Sequence, residues 1–170
     1  LWVPTAFLDF SAANGAQFVR EVFSGIYASD FGLWIPNCGE IVRHQYQIHA
    51  DEVKLLFNIV PEAAQYLANR DVVQIARSTV FNHHPDALCI SGLIAGSPTD
   101  TTILQKVKEA VPETPVFANT GVNLETVAEQ LGLADGAIVG TTFKHDGIFE
   151  NHVDQTRVRE FMEKVKMVRA

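Results

Sequence analysis

Two glycine-bearing segments, Thr-Gly-Val at 120–122 and Gly-Thr-Thr at 140–142, each follow a short apolar run. Glycine lacks a side chain, so its backbone N–H can approach an anion closely. Asn123 is suited to open a helix, whose N-terminal dipole would add to the same field. We therefore expect a phosphate group to be held by the backbone N–H groups of Gly121, Val122, Gly140 and Thr141. The alternative is that both glycines only serve tight turns between a strand and a helix.

Two oppositely charged residues, Arg20 and Glu21, lie side by side in an apolar run that should form a buried strand. Successive side chains of a strand point to opposite faces, so one charge should point into the fold and the other toward the surrounding helices. An inward charge is a candidate for acid–base work or substrate contact, and the alternative is an ion pair that braces the interior. We expect Glu21 to be the catalytic group, because it is two residues from the predicted strand end at Phe23. The two would exchange roles if the strand were rotated.

Four further polar residues are placed at or beyond predicted strand ends. Asn58, Ser91 and Asn119 can present amide and hydroxyl groups to one common rim, and we expect them to contact a substrate. Any one of them alone more often caps a loop. Lys144, in the segment Lys-His-Asp-Gly, is placed to close over an anionic ligand and joins Arg20 and Glu21 as a catalytic candidate.

The histidines and cysteines do not have the spacing of a metal site. His44 and His49 are five residues apart and would not share a helix face. His83 and His84 fall in a loop that leads from a helix into a strand, away from the end of a sheet where ligands bind. Cys38 and Cys89 show no metal or redox spacing. We expect no metal and no cofactor.

Short apolar runs and longer segments of helical period alternate along the chain. The predicted strands are 16–23, 53–60, 87–91, 115–119 and 136–140, and continuous apolar runs of this kind are typical of strands buried on both faces of a parallel sheet. The predicted helices are 5–14, 38–49 behind Asn37, 72–81 behind Asp71, a helix to Val111 behind Thr99 or Asp100, 124–131 ended by Gly132, and a last helix behind Asp154. Residues 24–32 are expected to form a polar loop.

Repeated strand–helix units predict an α/β fold with right-handed crossovers. A dinucleotide-binding sheet is disfavoured, because no G-x-G-x-x-G follows a strand. Paired glycine loops after the last two strands favour the C-terminal part of a TIM (β/α)8 barrel, about five βα units corresponding to strands 4–8. We expect residues 1–170 to form a single domain, an incomplete barrel lacking its N-terminal strands. Its unpaired edge would favour a homo-oligomer.

The charge balance limits the class of partner. Thirteen basic and twenty acidic side chains give a net charge of −7, which disfavours nucleic acid as a partner. No uncharged apolar run approaches the roughly 18 residues needed to insert into a membrane. Reduced thiols at Cys38 and Cys89 fit a cytoplasmic protein. The expected ligand is a small phosphorylated molecule.

Three segments near the C-terminus resemble the BtpA family, and the similarity is greatest to its SgcQ-type branch: FANTGVN at 117–123, ADGAIVGTTFK at 134–144 and NHVD at 151–154, followed by Arg157. The segments FVREVF at 18–23, FNIVPE at 57–62 and NHHPDALCISG at 82–92 are similar to that branch too. The resemblance implies a barrel of the ribulose-phosphate-binding type, with about three strand–helix units before Leu1. A Lys-His pair seen after strand five in many members is replaced here by Asn-Ile-Val at 58–60, so a mechanism based on that pair would not transfer.

The resemblance leaves the function open between classes. The family takes its name from a role in photosystem I biogenesis, whereas the SgcQ-type branch is associated with sugar-phosphate metabolism. We expect an enzyme acting on a small phosphorylated metabolite, of the sugar-phosphate isomerase, epimerase, lyase or aldolase type. The alternatives are a non-catalytic assembly or biogenesis factor and a ligand-sensing barrel that has lost its chemistry.

Overall fold

The computed structural model describes residues 3–92 and 97–170. In chain order these residues form α1 (Pro4–Ala13), β1 (Phe18–Glu21), β2 (Tyr27–Ser29), β3 (Gly32–Trp34), α2 (Cys38–Gln47), β4 (Lys54–Val60), β5 (Ala64–Tyr66), α3 (Val72–His83), β6 (Ala87–Ile90), α4 (Thr101–Ala110), β7 (Val116–Ala118), α5 (Val127–Leu133), β8 (Gly136–Ala137) and α6 (Gln155–Arg169). Two short 3₁₀ turns, Thr141–Phe143 and His145–Gly147, lie between β8 and α6.

Five strands form one curled parallel sheet in the order β1-β4-β6-β7-β8. Every neighbouring pair is parallel, for example Phe18 opposite Lys54 and Phe117 opposite Gly136. All five predicted strands are therefore confirmed, and so is the expected α/β fold with the strand order of a TIM barrel. β1 and β8 are the outer strands of this sheet, and pairing of such an edge with a second copy stays a prediction.

A second sheet was not predicted. β2 and β3 form an antiparallel hairpin, and β5 pairs with the other side of β2, so the order is β3-β2-β5. The expectation of a polar loop over 24–32 is wrong for residues 27–32, which belong to this hairpin, and Tyr27 and Trp34 bury their rings with Val22 in a small core. The small sheet follows the carboxyl ends of β1 and β4, where it extends the rim of the larger sheet.

The two faces of the parallel sheet are distinguished by alternate residues of each strand. Leu55, Phe57 and Ile59 belong to the main core between the sheet and its helices. Leu56 faces the other way and packs with Ala87 and Cys89 in the interior of the curl. Burying a side chain such as Phe57 contributes about 1.5–3 kcal/mol to the free energy of unfolding. This alternation decides which polar residues can reach the interior.

The predicted helix caps are confirmed at four helices. The side chains of Asn37, Asp71, Asp100 and Asp154 each accept a hydrogen bond from the first turn of α2, α3, α4 and α6. Thr99 is not the cap of α4, because its hydroxyl is buried and donates to the carbonyl of Ile90 at 2.9 Å. Gly132 lies inside α5 and does not end it. No helix within the described residues is long and apolar enough to cross a membrane.

Candidate functional site

A cavity of about 300 Å³ opens beyond the carboxyl ends of β7 and β8, between the segments that follow these two strands. Active sites of (β/α)8 barrels lie at this end of the strands. Eight of the residues singled out in the sequence line this cavity together: Arg20, Asn119, Gly121, Val122, Asn123, Gly140, Thr141 and Thr142. Glu62 and Arg157 also line it and were not expected there.

Residues of two loops line this cavity and carry backbone N–H groups that could bind a ligand. Within residues 3–92 and 97–170, no oxygen accepts a hydrogen bond from the N–H groups of Gly121, Val122, Gly140 or Thr141. The N–H groups of Asn123 and Phe143 are used: they donate to Thr126 Oγ1 at 3.0 Å and to the Gly140 carbonyl at 2.9 Å. A set of spare N–H donors on one concave surface is suited to an oxyanion.

The two glycines of these loops have different structural roles. Gly121 has φ +64°, in the left-handed region, and a Cβ there would overlap the backbone of Ser97 and Pro98. Only glycine satisfies both constraints at this turn. A Cβ on Gly140 would meet nothing within 4 Å, so the space beside it is open to the cavity.

A side chain from α6 adds positive charge to the loops. The Arg157 guanidinium lines the cavity, and its Nε donates to the Thr142 carbonyl at 2.8 Å. Thr142 in turn joins the two loops, because its hydroxyl donates to the Val122 carbonyl at 2.7 Å. Asp154 caps α6 through the N–H groups of Thr156 and Arg157, and this bond holds the first turn of the helix against the cavity. Arg157 was quoted in the resemblance, but its place was not expected.

Arg20 and Glu62 meet on the opposite wall, which is formed by β1 and the end of β4. Arg20 Nη1 lies 4.0 Å from Glu62 Oε1, and the side chains are 33% and 26% exposed. Glu62 follows Pro61 directly after β4, at the carboxyl end of the strand, and no sequence signal beyond its place in the segment 57–62 singled it out. The cavity therefore has one cation on each of two walls, with a carboxylate beside Arg20.

Glu21 does not line the cavity. Val19 belongs to the main core on the helix face of β1, so the alternation that turns Arg20 inward turns Glu21 the same way as Val19. Its carboxylate accepts a hydrogen bond from the Val22 N–H at 2.8 Å and borders a separate hollow with Pro4 and Trp34. Burial is the largest effect on its pKa and raises it. The geometry corrects the expected direction of the pair: Arg20 is the inward charge.

Asn58, Ser91 and Asn119 meet, as expected, in one buried cluster. With its amide turned so that both atoms have partners, Asn58 donates to the carbonyls of Cys89 and Val60, at 3.1 and 3.0 Å. The Asn58 Oδ1 then accepts from Ser91 and Asn119, and Asn119 Nδ2 also donates to Ser91 Oγ at 2.7 Å. Only Asn119 reaches the cavity, and its Oδ1 has no partner among the described residues. Asn58 and Ser91 lie behind Asn119 and do not line the cavity, and substrate contact by these side chains stays a prediction.

Lys144 is not brought to the cavity wall. Its backbone pairs with Val153 in an isolated antiparallel bridge, which closes the loop between the two 3₁₀ turns and α6. Gly147 and Phe149 of this loop border the cavity in its place. Within the described residues, no three side chains of His, Cys, Asp or Glu are grouped to hold a metal ion.

The curled parallel sheet, its helices and the cavity at the carboxyl ends of the strands define the class of protein as a TIM-barrel type. The fold is shared with solved structures of low sequence identity. KGPDC from Streptococcus mutans matches with a TM-score of 0.62 and 13% identity, over 99% of this chain and 69% of that one. A structure described as "Native KDPGal structure" matches with a TM-score of 0.60 and 15% identity, over 96% and 65%.

The chain belongs to the BtpA family, whose model matches residues 1–167. It is 63% identical to SgcQ, an sgc region protein of Escherichia coli K12, over 99% of this chain and 63% of that protein. It is 28% identical to the photosystem I biogenesis protein BtpA of Synechocystis, over 92% of this chain and 54% of that protein. The chain thus spans less than two thirds of the length of these relatives.

Proposed function

We propose that the protein is an enzyme that acts on a small phosphorylated metabolite, with the phosphate held by the loops after β7 and β8. One observation carries the proposal: the spare N–H groups of Gly121, Val122, Gly140 and Thr141 line one cavity with the Arg157 guanidinium. Neutral donors and a fixed cation together match a phosphate dianion, because bonds to charged acceptors are shorter and stronger than neutral ones.

Attraction of an anion to this protein must be local. A net charge of −7 would repel an anion, so binding must depend on donors grouped at one place. Arg157 supplies that group from the first turn of α6, and Arg20 supplies a second cation on the opposite wall. A cavity of about 300 Å³ is at the small end of the range for metabolite sites, which suits a short-chain sugar phosphate.

The same walls support a class of reaction. An isomerase, epimerase, lyase or aldolase acting on a sugar phosphate needs one group that moves a proton and another that stabilises oxyanion charge. Glu62 and Arg20 are the described residues of the cavity that can do so. The fold by itself supports many chemistries, so it is the paired loops and these two side chains that favour an enzyme.

A second candidate function is an assembly role, and one surface favours it. Phe31, Leu33 and Ile35 are 66%, 65% and 64% exposed, on and beside the outer strand β3. Large apolar side chains grouped at a surface are typical of protein contacts. One relative is named as a biogenesis protein. Under this hypothesis the cavity would bind no metabolite.

A thermal-shift screen of the full-length protein with phosphorylated sugars and sugar acids distinguishes the two functions. A ligand at 100 times its Kd stabilises the native state by about 2.7 kcal/mol, which raises the Tm by several degrees. Gly140→Val should abolish the shift, because the added methyl groups enter the space of the phosphate. Gly132→Val is the matched control, because its Cβ also meets nothing but lies on α5, away from the cavity. An equal shift in both variants would remove the loops from the site.

A further inference from the structure

The wall of the cavity opposite the phosphate loops carries an ion pair that is only loosely formed. Arg20 Nη1 and Glu62 Oε1 are 4.0 Å apart, whereas a charge-assisted hydrogen bond is about 2.7–2.9 Å long. A pair that braces a barrel interior would be closed and buried. These two side chains remain partly exposed and keep most of their hydrogen-bonding capacity for a third group between them.

The pair has a polar and an apolar neighbourhood: the side-chain amide of Asn58 lies 3.5 Å from Glu62 Oε2, and Cys89 packs with Leu56 and Ala87 in the interior of the curl. Cys89 is completely buried. Burial is the largest effect on the Cys89 thiol and raises its pKa to about 12, so the sulfur stays protonated at neutral pH. The apolar side of this neighbourhood strengthens charge interactions of the pair, because the local dielectric is low.

Glu62 is the only acid among the described residues that line the cavity, and none of the others is Lys, His or Cys. A Lys is the residue that forms Schiff bases with carbonyl substrates, so these walls do not favour that route. A carboxylate can take a proton from carbon when the resulting oxyanion is stabilised nearby. Arg20 is the nearest cation to that carboxylate.

Asn119 lines the cavity beside Gly121. Its Oδ1 is buried and has no partner among the described residues, and leaving such an acceptor unpaired costs about 1–3 kcal/mol. A turn of the side chain would be needed to present this acceptor to a ligand hydroxyl, such as a sugar carries.

Resting on the phosphate site proposed above, we infer that Glu62 is the base and Arg20 the oxyanion-binding residue in the enolisation of a phosphorylated sugar. Glu62 takes the proton from the carbon next to the carbonyl, and the C–H electron pair becomes the C=C bond. The carbonyl π pair moves onto oxygen, where the Arg20 guanidinium stabilises the enediolate. Protonated Glu62 returns the proton to the same carbon, or to the former carbonyl carbon once the hydroxyl proton of the enediolate has moved to the former carbonyl oxygen, so no oxidant or reductant is needed.

The test uses the full-length protein in D₂O, and NMR follows loss of the C–H signal next to the carbonyl. The probes are dihydroxyacetone phosphate, ribulose 5-phosphate, fructose 6-phosphate, ribose 5-phosphate and glucose 6-phosphate, with inorganic phosphate as the binding reference. We expect exchange with at least one sugar phosphate that raises the Tm. Glu62→Gln should lower the exchange rate by about 10²–10⁴-fold and keep the Tm shift. Glu62→Asp should recover part of the rate, and Glu163→Gln, on the exposed side of α6, should leave it unchanged.

The outcomes separate this inference from the proposed function. A Tm shift with sugar phosphates but no exchange in any of them overturns the enolisation and leaves the phosphate site standing. Exchange that persists in Glu62→Gln overturns the assignment of the base. Stabilisation by inorganic phosphate alone also overturns the inference. If no phosphorylated compound raises the Tm, the proposed function fails, and the inference fails with it.

Discussion

Gly121 and Gly140 stand at equivalent places in the loops after β7 and β8, yet the structure predicts unequal effects on stability when each is replaced by alanine. Gly121 has φ +64°, and a Cβ there would overlap the Ser97 and Pro98 backbone. The left-handed conformation alone costs a non-glycine residue about 1–2 kcal/mol, and the overlap adds to that because backbone atoms must move. A Cβ on Gly140 meets no atom within 4 Å.

We therefore expect Gly121→Ala to lower the free energy of unfolding by at least about 2 kcal/mol, or several degrees in Tm. Gly140→Ala should change it by no more than about 0.5 kcal/mol, the usual range for a site without contacts. Urea denaturation of the full-length protein measures both, with a common slope as the check that the unfolded states are comparable. Equal losses in the two variants, or no loss in Gly121→Ala, would refute the reasoning from the turn.

Three further outcomes are expected. Arg157→Met should weaken binding of a phosphorylated ligand about 10- to 150-fold, which corresponds to the loss of a charge-assisted hydrogen bond of about 1.5–3 kcal/mol. Titration calorimetry measures this, with Arg159→Met, on the exposed part of α6, as the control. Asp100→Ala should cost about 1 kcal/mol in a urea titration, because the side chain accepts from two N–H groups at the start of α4; an unchanged midpoint would contradict this. For Asp135, burial is the largest effect and raises its pKa, but the bonds from Lys108 and the Val116 N–H outweigh it and leave the pKa lowered. Because the folded-state pKa lies below the unfolded value of about 3.9, ionised Asp135 stabilises the folded protein above that pH, and this stabilisation is lost as the pH falls through the folded-state pKa. Asp135→Asn should therefore reduce the acid sensitivity of the Tm below about pH 4.

The sequence predicted the strands well because a parallel sheet buries both faces. Each strand of the sheet appears as a continuous apolar run, and the helices between them are marked by polar caps at Asn37, Asp71, Asp100 and Asp154. It missed the sheet of β2, β3 and β5, since three-residue strands carry too little pattern. That sheet exists because Tyr27 and Trp34 find a common place to be buried.

For the pair at positions 20 and 21, the sequence determined that one charge points inward, and only the tertiary structure decided which. Side chains of a strand alternate between its two faces, but the sequence does not say which face is the inner one until the strand pairs with its neighbour. The pairing of Val19 with Leu55 in the main core decides this and turns Arg20 inward.

Some residues of the candidate site could likewise be found from the sequence, and others could not. The loops of Gly121 and Gly140 could be found from the sequence, because glycine after a strand leaves a local sign that precedes any folding. Arg157 and Glu62 could not, because they come from segments 95 residues apart in sequence and meet at one cavity only when the sheet curls. A turn or cap depends on adjacent residues and can be predicted from a short segment. The meeting of distant side chains depends on the curvature and register of the whole sheet, so no single segment predicts it.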